Sequence, residues 1–207
     1  MIVEPLTLLT FIPAALALNL TPGADMLFCL GQGVRSGPKA AVAASAGISA
    51  GAFIHAAAAG LGLGALIAAL PWAFDAIRWV GVAYLLWLAL QSLRGGTQSA
   101  GVVASRAARA FGDGLAVNLT NPKVILFVLA FVPQFVIPEN GSILAQFLIF
   151  GMVLSLGGFI INAAVGLFAG GIGRRLTGSP VFALWLGRIS AGIFAGLALR
   201  LALLQKG

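Results

Sequence analysis

One phrase built around a proline occurs twice in this chain, half a chain apart, each time inside strongly apolar sequence. The first copy reads Asn19-Leu20-Thr21-Pro22-Gly23-Ala24-Asp25 and the second Asn118-Leu119-Thr120-Asn121-Pro122-Lys123. Each brings a proline, polar side chains and one charge into surroundings that hold none. Proline removes a backbone donor and clashes with the preceding turn, so each phrase interrupts its helix. Inside a bilayer, freed backbone groups are tolerated only where protein buries them or where they line a cavity. Paired breaks at corresponding positions of two halves mark the binding site of a secondary transporter.

The surrounding composition puts the breaks in a membrane. The 207 residues are 60% hydrophobic and 8% charged, against about a quarter charged in a soluble domain. Uncharged runs cover 5–24, 40–74 and 140–173, each sufficient for a span of roughly 20 residues. No stretch is left for a soluble domain. The net charge of +7 does not imply nucleic acid, because the basic residues lie in short loops between apolar runs. The single Cys29 offers neither a disulfide nor a metal cluster. The start, Met1-Ile2-Val3-Glu4, lacks the basic region of a secretory signal, so the first apolar run is expected to stay as a span.

The pattern predicts a single transmembrane domain over 1–207 with six spans, near 5–33, 40–69, 72–93, 112–136, 143–172 and 181–204. In the third span Asp75 and Arg78 stand one helical turn apart and can pair near an interface. Loops after spans 1, 3 and 5 carry Arg35 and Lys39, then Arg94, Arg106 and Arg109, then Arg174 and Arg175. The N-terminus and the loop after span 4 carry Glu4 and Glu139 and no Lys or Arg. The positive loops belong in the cytoplasm, which puts both termini outside. Lys206 and Arg78 weigh against that orientation.

The halves also match beyond the proline phrase. Gly51-Ala52-Phe53-Ile54-His55 and its continuation to Leu61 align with Gly157 to Leu167, and Trp79-Val80-Gly81 aligns with Trp185-Leu186-Gly187 at the same offset. Each half has three spans, so the second must insert upside down. The expected fold is all-α: two inverted three-helix repeats, about 1–98 and 111–207, joined by the basic loop 94–111, with helices 1 and 4 broken at proline.

Asp25 and Lys123 are the charges at bilayer depth, where such groups face the bundle interior and have partners. Two readings stay open. Either Asp25 meets a substrate ammonium and Lys123 its carboxylate, or the two pair with each other and only hold the bundle. On the first reading Asn19, Thr21, Pro22, Gly23, Asn118, Thr120, Asn121 and Pro122 complete a substrate site, and the helix N-termini that restart after each proline add N–H groups for an anion. His55, the one histidine, sits mid-span. It is either a proton carrier, with an unperturbed pKa of about 6.5, or a helix–helix hydrogen bond. Asn162 lies one position from its repeat equivalent. Gly47, Gly51, Gly60, Gly62, Gly64, Gly166 and Gly170 read as close-packing positions within the bundle more than as a dimer seam. The Phe and Trp residues read as lipid-facing or interfacial. Gly170-Gly171-Ile172-Gly173 is not a nucleotide loop, and no hydrolase triad or HExxH is present.

The two proline phrases, together with Gly47-Ile48-Ser49-Ala50-Gly51 leading to His55, Leu129-Ala130-Phe131-Val132-Pro133-Gln134-Phe135, and the tail Gly187-Arg188-Ile189-Ser190-Ala191-Gly192 continuing through Gly196 to Leu201, resemble the LysE superfamily. The closer likeness is to its RhtB branch of homoserine, threonine and leucine exporters. The likeness runs over nearly the whole chain. Where the family phrase usually has a second proline, this chain has Ala24, which relaxes the break but keeps Pro22, Gly23 and Asp25. The resemblance implies a multi-pass protein of the bacterial inner membrane, not an enzyme, that exports amino acids or small derivatives as an antiporter coupled to protons. It needs no cofactor. Its partners are the amino-acid substrate, the proton and the lipid bilayer, and a homodimer stays open. A passive channel and a non-transporting membrane subunit are the competing readings.

Overall fold

The computed structural model describes residues 1–69, 72–94, 106–169 and 180–203, and every regular element among them is helical. These are α1 (Pro5–Leu20), α2 (Ala24–Ser36), α3 (Pro38–Ala69), α4 (Trp72–Arg94), α5 (Ala107–Leu119), α6 (Pro122–Ala130), two short 3-10 turns (Val132–Phe135 and Pro138–Asn140), α7 (Ile143–Leu167) and α8 (Pro180–Leu203). Arg174, Arg175, Gly170 to Gly173, Lys206 and most of the loop 94–111 lie outside the described residues, as do the side chains of Asp75 and Arg78.

Both proline phrases break their helices. Between α1 and α2 the chain turns extended at Thr21 (φ −65°, ψ 119°) and Gly23 (φ −167°, ψ −171°), and the axis bends by 53°. Between α5 and α6, Asn121 is extended (φ −77°, ψ 106°), Pro122 opens the new helix, and the bend is 55°. The extended residue before Pro122 follows from the clash of the proline ring with a helical predecessor.

Three boundaries differ from the apolar runs. α5 begins at Ala107 and not near 112, because a polar turn with exposed Arg109 extends the helix past its apolar part. α7 ends at Leu167, closing with Phe168 N on Ala164 O and a tighter bond from Ala169 N to Gly166 O. α6 stops at Ala130 and tightens into a 3-10 turn at Pro133, where the Gln134 side chain donates to the Ala130 carbonyl over 2.8 Å.

Among the described residues, two helices are each long and apolar enough to cross a membrane, Pro38–Gly62 and Ile143–Leu167. Each bent pair adds one more if counted as a single span. Apolar residues such as Leu6, Leu9, Leu61 and Ile160 stand exposed on the outer faces, as hydrocarbon contact requires.

α3 is the central helix and packs on α7, α5 and α2, while α4 packs on α8. The α3–α7 contact is antiparallel and built on small residues: Gly60 faces Phe147, Gly151 faces Ala56, and Gly166 faces Ala41. Ser45 Oγ donates to Phe159 O over 2.9 Å in the same seam. On the α5 side, Gly47 lies against the Phe111 carbonyl and Gly114 against the Ala44 carbonyl. These glycines bring backbones together inside the chain.

The phenylalanines depart from expectation. Phe11, Phe127, Phe131, Phe147, Phe150 and Phe194 are fully buried. Phe11 meets Phe150 at 4.8 Å and Phe135 at 5.2 Å between ring centroids. The kinked half-helices leave space that straight aliphatic packing would not fill, and aromatic rings in tilted and edge contacts occupy it. The tryptophans follow expectation, with Trp79, Trp87 and Trp185 exposed.

Candidate functional site

The two breaks meet. Asp25 lies in the first turn of α2, immediately after the first break, and Asn118 in the last turn of α5, just before the second. Asn118 Nδ2 donates to Asp25 Oδ2 over 2.9 Å. Lys123, in the first turn of α6, reaches back across the other break and gives its ammonium to the Thr21 carbonyl over 2.7 Å. That carbonyl lies in the extended break, where no backbone N–H reaches it, so the lysine satisfies an exposed backbone group. The two charges hydrogen-bond to different partners and form no direct ion pair, although each lies within the field of the other. They share one small compartment of ≈ 20 Å³, lined also by Thr21, Gly23, Asn121 and Asn162.

The two restarted helices differ at their N-termini. α6 is capped, because Asn121 Oδ1 accepts from Lys123 N over 3.0 Å. α2 has no side-chain cap, and its first helical bond is Leu27 N to Gly23 O. The N–H groups of Ala24, Asp25 and Met26 precede that bond, and α2 carries the positive end of its dipole there. Lys123 Nζ lies just over Gly23, where a Cβ would be 3.6 Å away.

A larger cavity of ≈ 290 Å³ opens beside this end. Thr21, Pro22, Gly23, Ala24, Thr120, Asn121, Pro122 and Lys123 form one wall, and Trp87, Leu88 and Gln91 of α4 the other. Thr120 and Thr21 bond back into their own helices, to Ala116 O at 2.9 Å and Ala17 O at 2.6 Å, carbonyls that also accept the backbone N–H of the same threonine.

On the far side of Asp25 lies a third cavity of ≈ 20 Å³, lined by Asn19, Asp25, Ser49, Asn118, Ser155 and Asn162 within an apolar surround. Asn19 donates to Leu154 O over 3.1 Å. His55 lines none of these three cavities. Its Nε2 lies 3.3 Å from Asn118 O, a bond that needs the proton on Nε2 because a carbonyl only accepts. His55 is thus joined to Asp25 through Asn118.

The expected site residues come together with His55 one residue removed. Sequence reasoning missed Trp87, Leu88 and Gln91, which follow from helix packing and carry no motif. It also missed Ser49 and Ser155, for which a signal existed. The offset that carries Gly51 onto Gly157 carries Ser49 onto Ser155. Asn19 and Asn118, equivalent in the two phrases, each pack on the matching glycines of the opposite middle helix: Asn118 on Gly51, and Asn19 on Gly157.

The chain matches the family model described as LysE type translocator over residues 16–205. It belongs to that family. Relatives agree with the placement. The homoserine/homoserine lactone efflux protein of Salmonella typhimurium is 38% identical over 145 residues, a stretch covering 65% of this chain and 66% of that relative, just under two thirds of its length. The leucine efflux protein of Klebsiella pneumoniae is 31% identical over 208 residues, 97% of each chain. An uncharacterized membrane protein of Vibrio cholerae is 29% identical over 197 residues, 94% of this chain and 95% of its own. No solved structure matches the chain. The family assignment makes this a membrane translocator, and its chemistry is that of binding and release.

Proposed function

We propose that this translocator exports amino acids or small amino-acid derivatives across the bacterial inner membrane by antiport. We read it as six spans in two inverted three-helix repeats with both termini outside. One observation carries the reading: Asp25 and Lys123 line one compartment at the meeting of two helix breaks, yet neither neutralises the other directly. A zwitterion is the ligand such an arrangement suits. Its ammonium, a water-sized group, would enter the small compartment to reach Asp25, while its carboxylate would stay in the larger cavity, which Lys123, Gly23 and Ala24 at the uncapped start of α2 also line. Its side chain would extend into the ≈ 290 Å³ cavity against Trp87, Leu88 and Gln91.

The repeat reading is supported by contacts that occur in pairs. Gly60 on Phe147 and Gly166 on Ala41 exchange with each other at the offset that carries Gly51 onto Gly157, and the two Asn–Gly contacts at the breaks pair the equivalent asparagines of the proline phrases with those same glycines. The direction is supported by the cavity's place. It lies towards the end of α4 at Arg94, where the positive loop begins, so substrate would load from the cytoplasm. α1 packs on α8, whereas their repeat counterparts α5 and α4 form no comparable contact and flank this cavity. Coupling would run through protonation of Asp25, with His55, tied to it through Asn118, as the second candidate. The relatives named for homoserine and leucine efflux make neutral amino acids the first substrates to try.

The test is counterflow in proteoliposomes with labelled homoserine, leucine, threonine and lysine, followed by uphill export under an imposed proton gradient. Antiport predicts counterflow with uphill movement that an uncoupler abolishes. Downhill flux without counterflow or uphill movement would replace the antiporter with a channel. No flux with any amino acid would replace it with a non-transporting subunit.

A further inference from the structure

Five buried side-chain oxygens that lack any hydrogen-bond partner surround one cavity: Asp25 Oδ1, Ser49 Oγ, Asn118 Oδ1, Ser155 Oγ and Asn162 Oδ1. Orphaned polar atoms of this kind cost about 1–3 kcal/mol each when buried and are uncommon singly. Here they converge. Asn118 is 1% exposed, Asn162 4% and Ser155 7%, so solvent does not satisfy them. The cavity they share, at ≈ 20 Å³, has room for about one water-sized body.

Every orphan is an oxygen, and three of them, the carboxylate and two amide oxygens, can only accept. A single water has two protons to give and would leave an acceptor of the three unmet unless the serine hydroxyls supplied it. A small cation would give all five oxygens one common partner and leave the two serine O–H groups to donate to the neighbouring amide and carboxylate oxygens. Among the described residues no group of three His, Cys, Asp or Glu gathers, so the cage has the hard oxygen donors of an alkali or alkaline-earth ion and not those of a transition metal. It holds one formal negative charge. With the Lys123 ammonium as the existing counter-charge in the adjoining compartment, a monovalent ion adds the least further charge to the bilayer, and a divalent ion adds twice as much. Na⁺ is satisfied by fewer oxygens than K⁺. The last turns of α1 and α5, which bring Asn19 and Asn118, add the negative ends of two half-helix dipoles. Lys123 is the nearest opposing charge, and its ammonium is turned away to Thr21 O.

We infer that Asp25, Ser49, Asn118, Ser155 and Asn162 form a binding site for a monovalent cation of Na⁺ size. Ser49 and Ser155 are equivalent positions of the two halves, so neither half makes the site alone. Asp25 stands between this cage and the compartment it shares with Lys123. A cation in the cage and a substrate ammonium in that compartment would compete for one carboxylate, as a coupling proton on Asp25 also would, so the cation is expected to oppose substrate binding. That last step rests on the proposed exporter function; the binding does not.

The experiment is ²²Na⁺ binding to purified wild-type protein without amino acid, with choline replacing Na⁺ to hold ionic strength, and with Li⁺ and K⁺ as competitors. Saturable binding is expected, displaced by Na⁺ and Li⁺ and weakly by K⁺. Ser155→Ala and Ser49→Ala should each weaken it on the order of tenfold, the loss of one ligand to a buried charge. Gly192→Ala, with nothing within 4 Å of the added Cβ, is the control. Absence of saturable binding in protein that still performs amino-acid counterflow overturns the cation site and leaves the exporter standing. Saturable binding without counterflow keeps the site and removes the exporter. Equal displacement by K⁺, or binding unchanged in both serine variants, overturns the site.

Discussion

The Asn118 amide lies 2.9 Å from the Asp25 carboxylate, joining the end of α5 to the start of α2 across the point where both helices are interrupted. A hydrogen bond to a charged group contributes about 1.5–3 kcal/mol. It holds the two breaks in register through Asp25 Oδ2, while Oδ1 makes no hydrogen bond of good geometry and the Asn121 side chain lies beside the carboxylate. Lys123 is held independently on Thr21 O, so the two charges can be altered separately.

Asp25→Asn and Lys123→Met should each abolish counterflow while membrane insertion survives. The double variant distinguishes a substrate site from a structural pair. Removing both partners of a purely structural pair relieves the isolated charge that either single change leaves behind. Because the structure gives each charge its own partner, the double variant is expected to fold and remain inactive. Near wild-type flux in the double variant, measured by counterflow after a folding check by size exclusion, would remove both residues from the binding site.

Gly47→Ala should separate α3 from α5. The added Cβ runs into the Phe111 carbonyl, a backbone atom that cannot move aside like a side-chain tip. Overpacking of this kind costs about 1–3 kcal/mol. Gly62→Ala, with nothing within 4 Å of its Cβ, should be neutral or slightly stabilising in a helix. Thermal unfolding in detergent compares the two. Equal melting temperatures would mean that the α3–α5 approach is looser than the structure gives it.

Much of this arrangement was legible in the chain, and for physical reasons. Pro22 and Pro122 act through local covalent geometry, so their breaks could be read without knowing any neighbour. Gly51 and Gly157 revealed a shared register because close helix contact admits only small residues. The burial of Phe11 and Phe150 was not legible, since an apolar ring looks the same facing lipid or core. Gln91 and Trp87 were missed because α4 meets the breaks only through tertiary packing. Ser49 and Ser155 were hidden differently: a serine in a span normally bonds back into its own helix, and only the cavity shows that these two do not.

The orientation can be tested without transport. The proposed orientation rests on the positive residues Arg35, Lys39, Arg94, Arg106 and Arg109, which favour a cytoplasmic place for the loops after α2 and α4. A reporter fused at Arg106 should read cytoplasmic, and one fused at Gly207 external. An external signal at Arg106 would invert the protein. The ≈ 290 Å³ cavity would then load from outside, which suits uptake and not export.

His55 gives the sharpest separation between coupling and architecture. Its Nε2 donates to Asn118 O, and Asn118 in turn holds Asp25. A glutamine amide can make the same donation, although it cannot carry a proton. His55→Gln is therefore expected to keep both counterflow and gradient-driven export near wild type. His55→Leu removes the donor, frees Asn118 to shift, and should weaken both activities together by about tenfold, matching the loss of one buried hydrogen bond. The measurement is paired: counterflow with no gradient, and uphill export under a proton gradient, in the same vesicles. If His55→Gln loses only the uphill component, the proton passes through His55 and Asp25 is left as the substrate's carboxylate. If both components survive in His55→Gln and fall in His55→Leu, the histidine is the brace that aligns Asn118 on Asp25, and coupling belongs to the carboxylate.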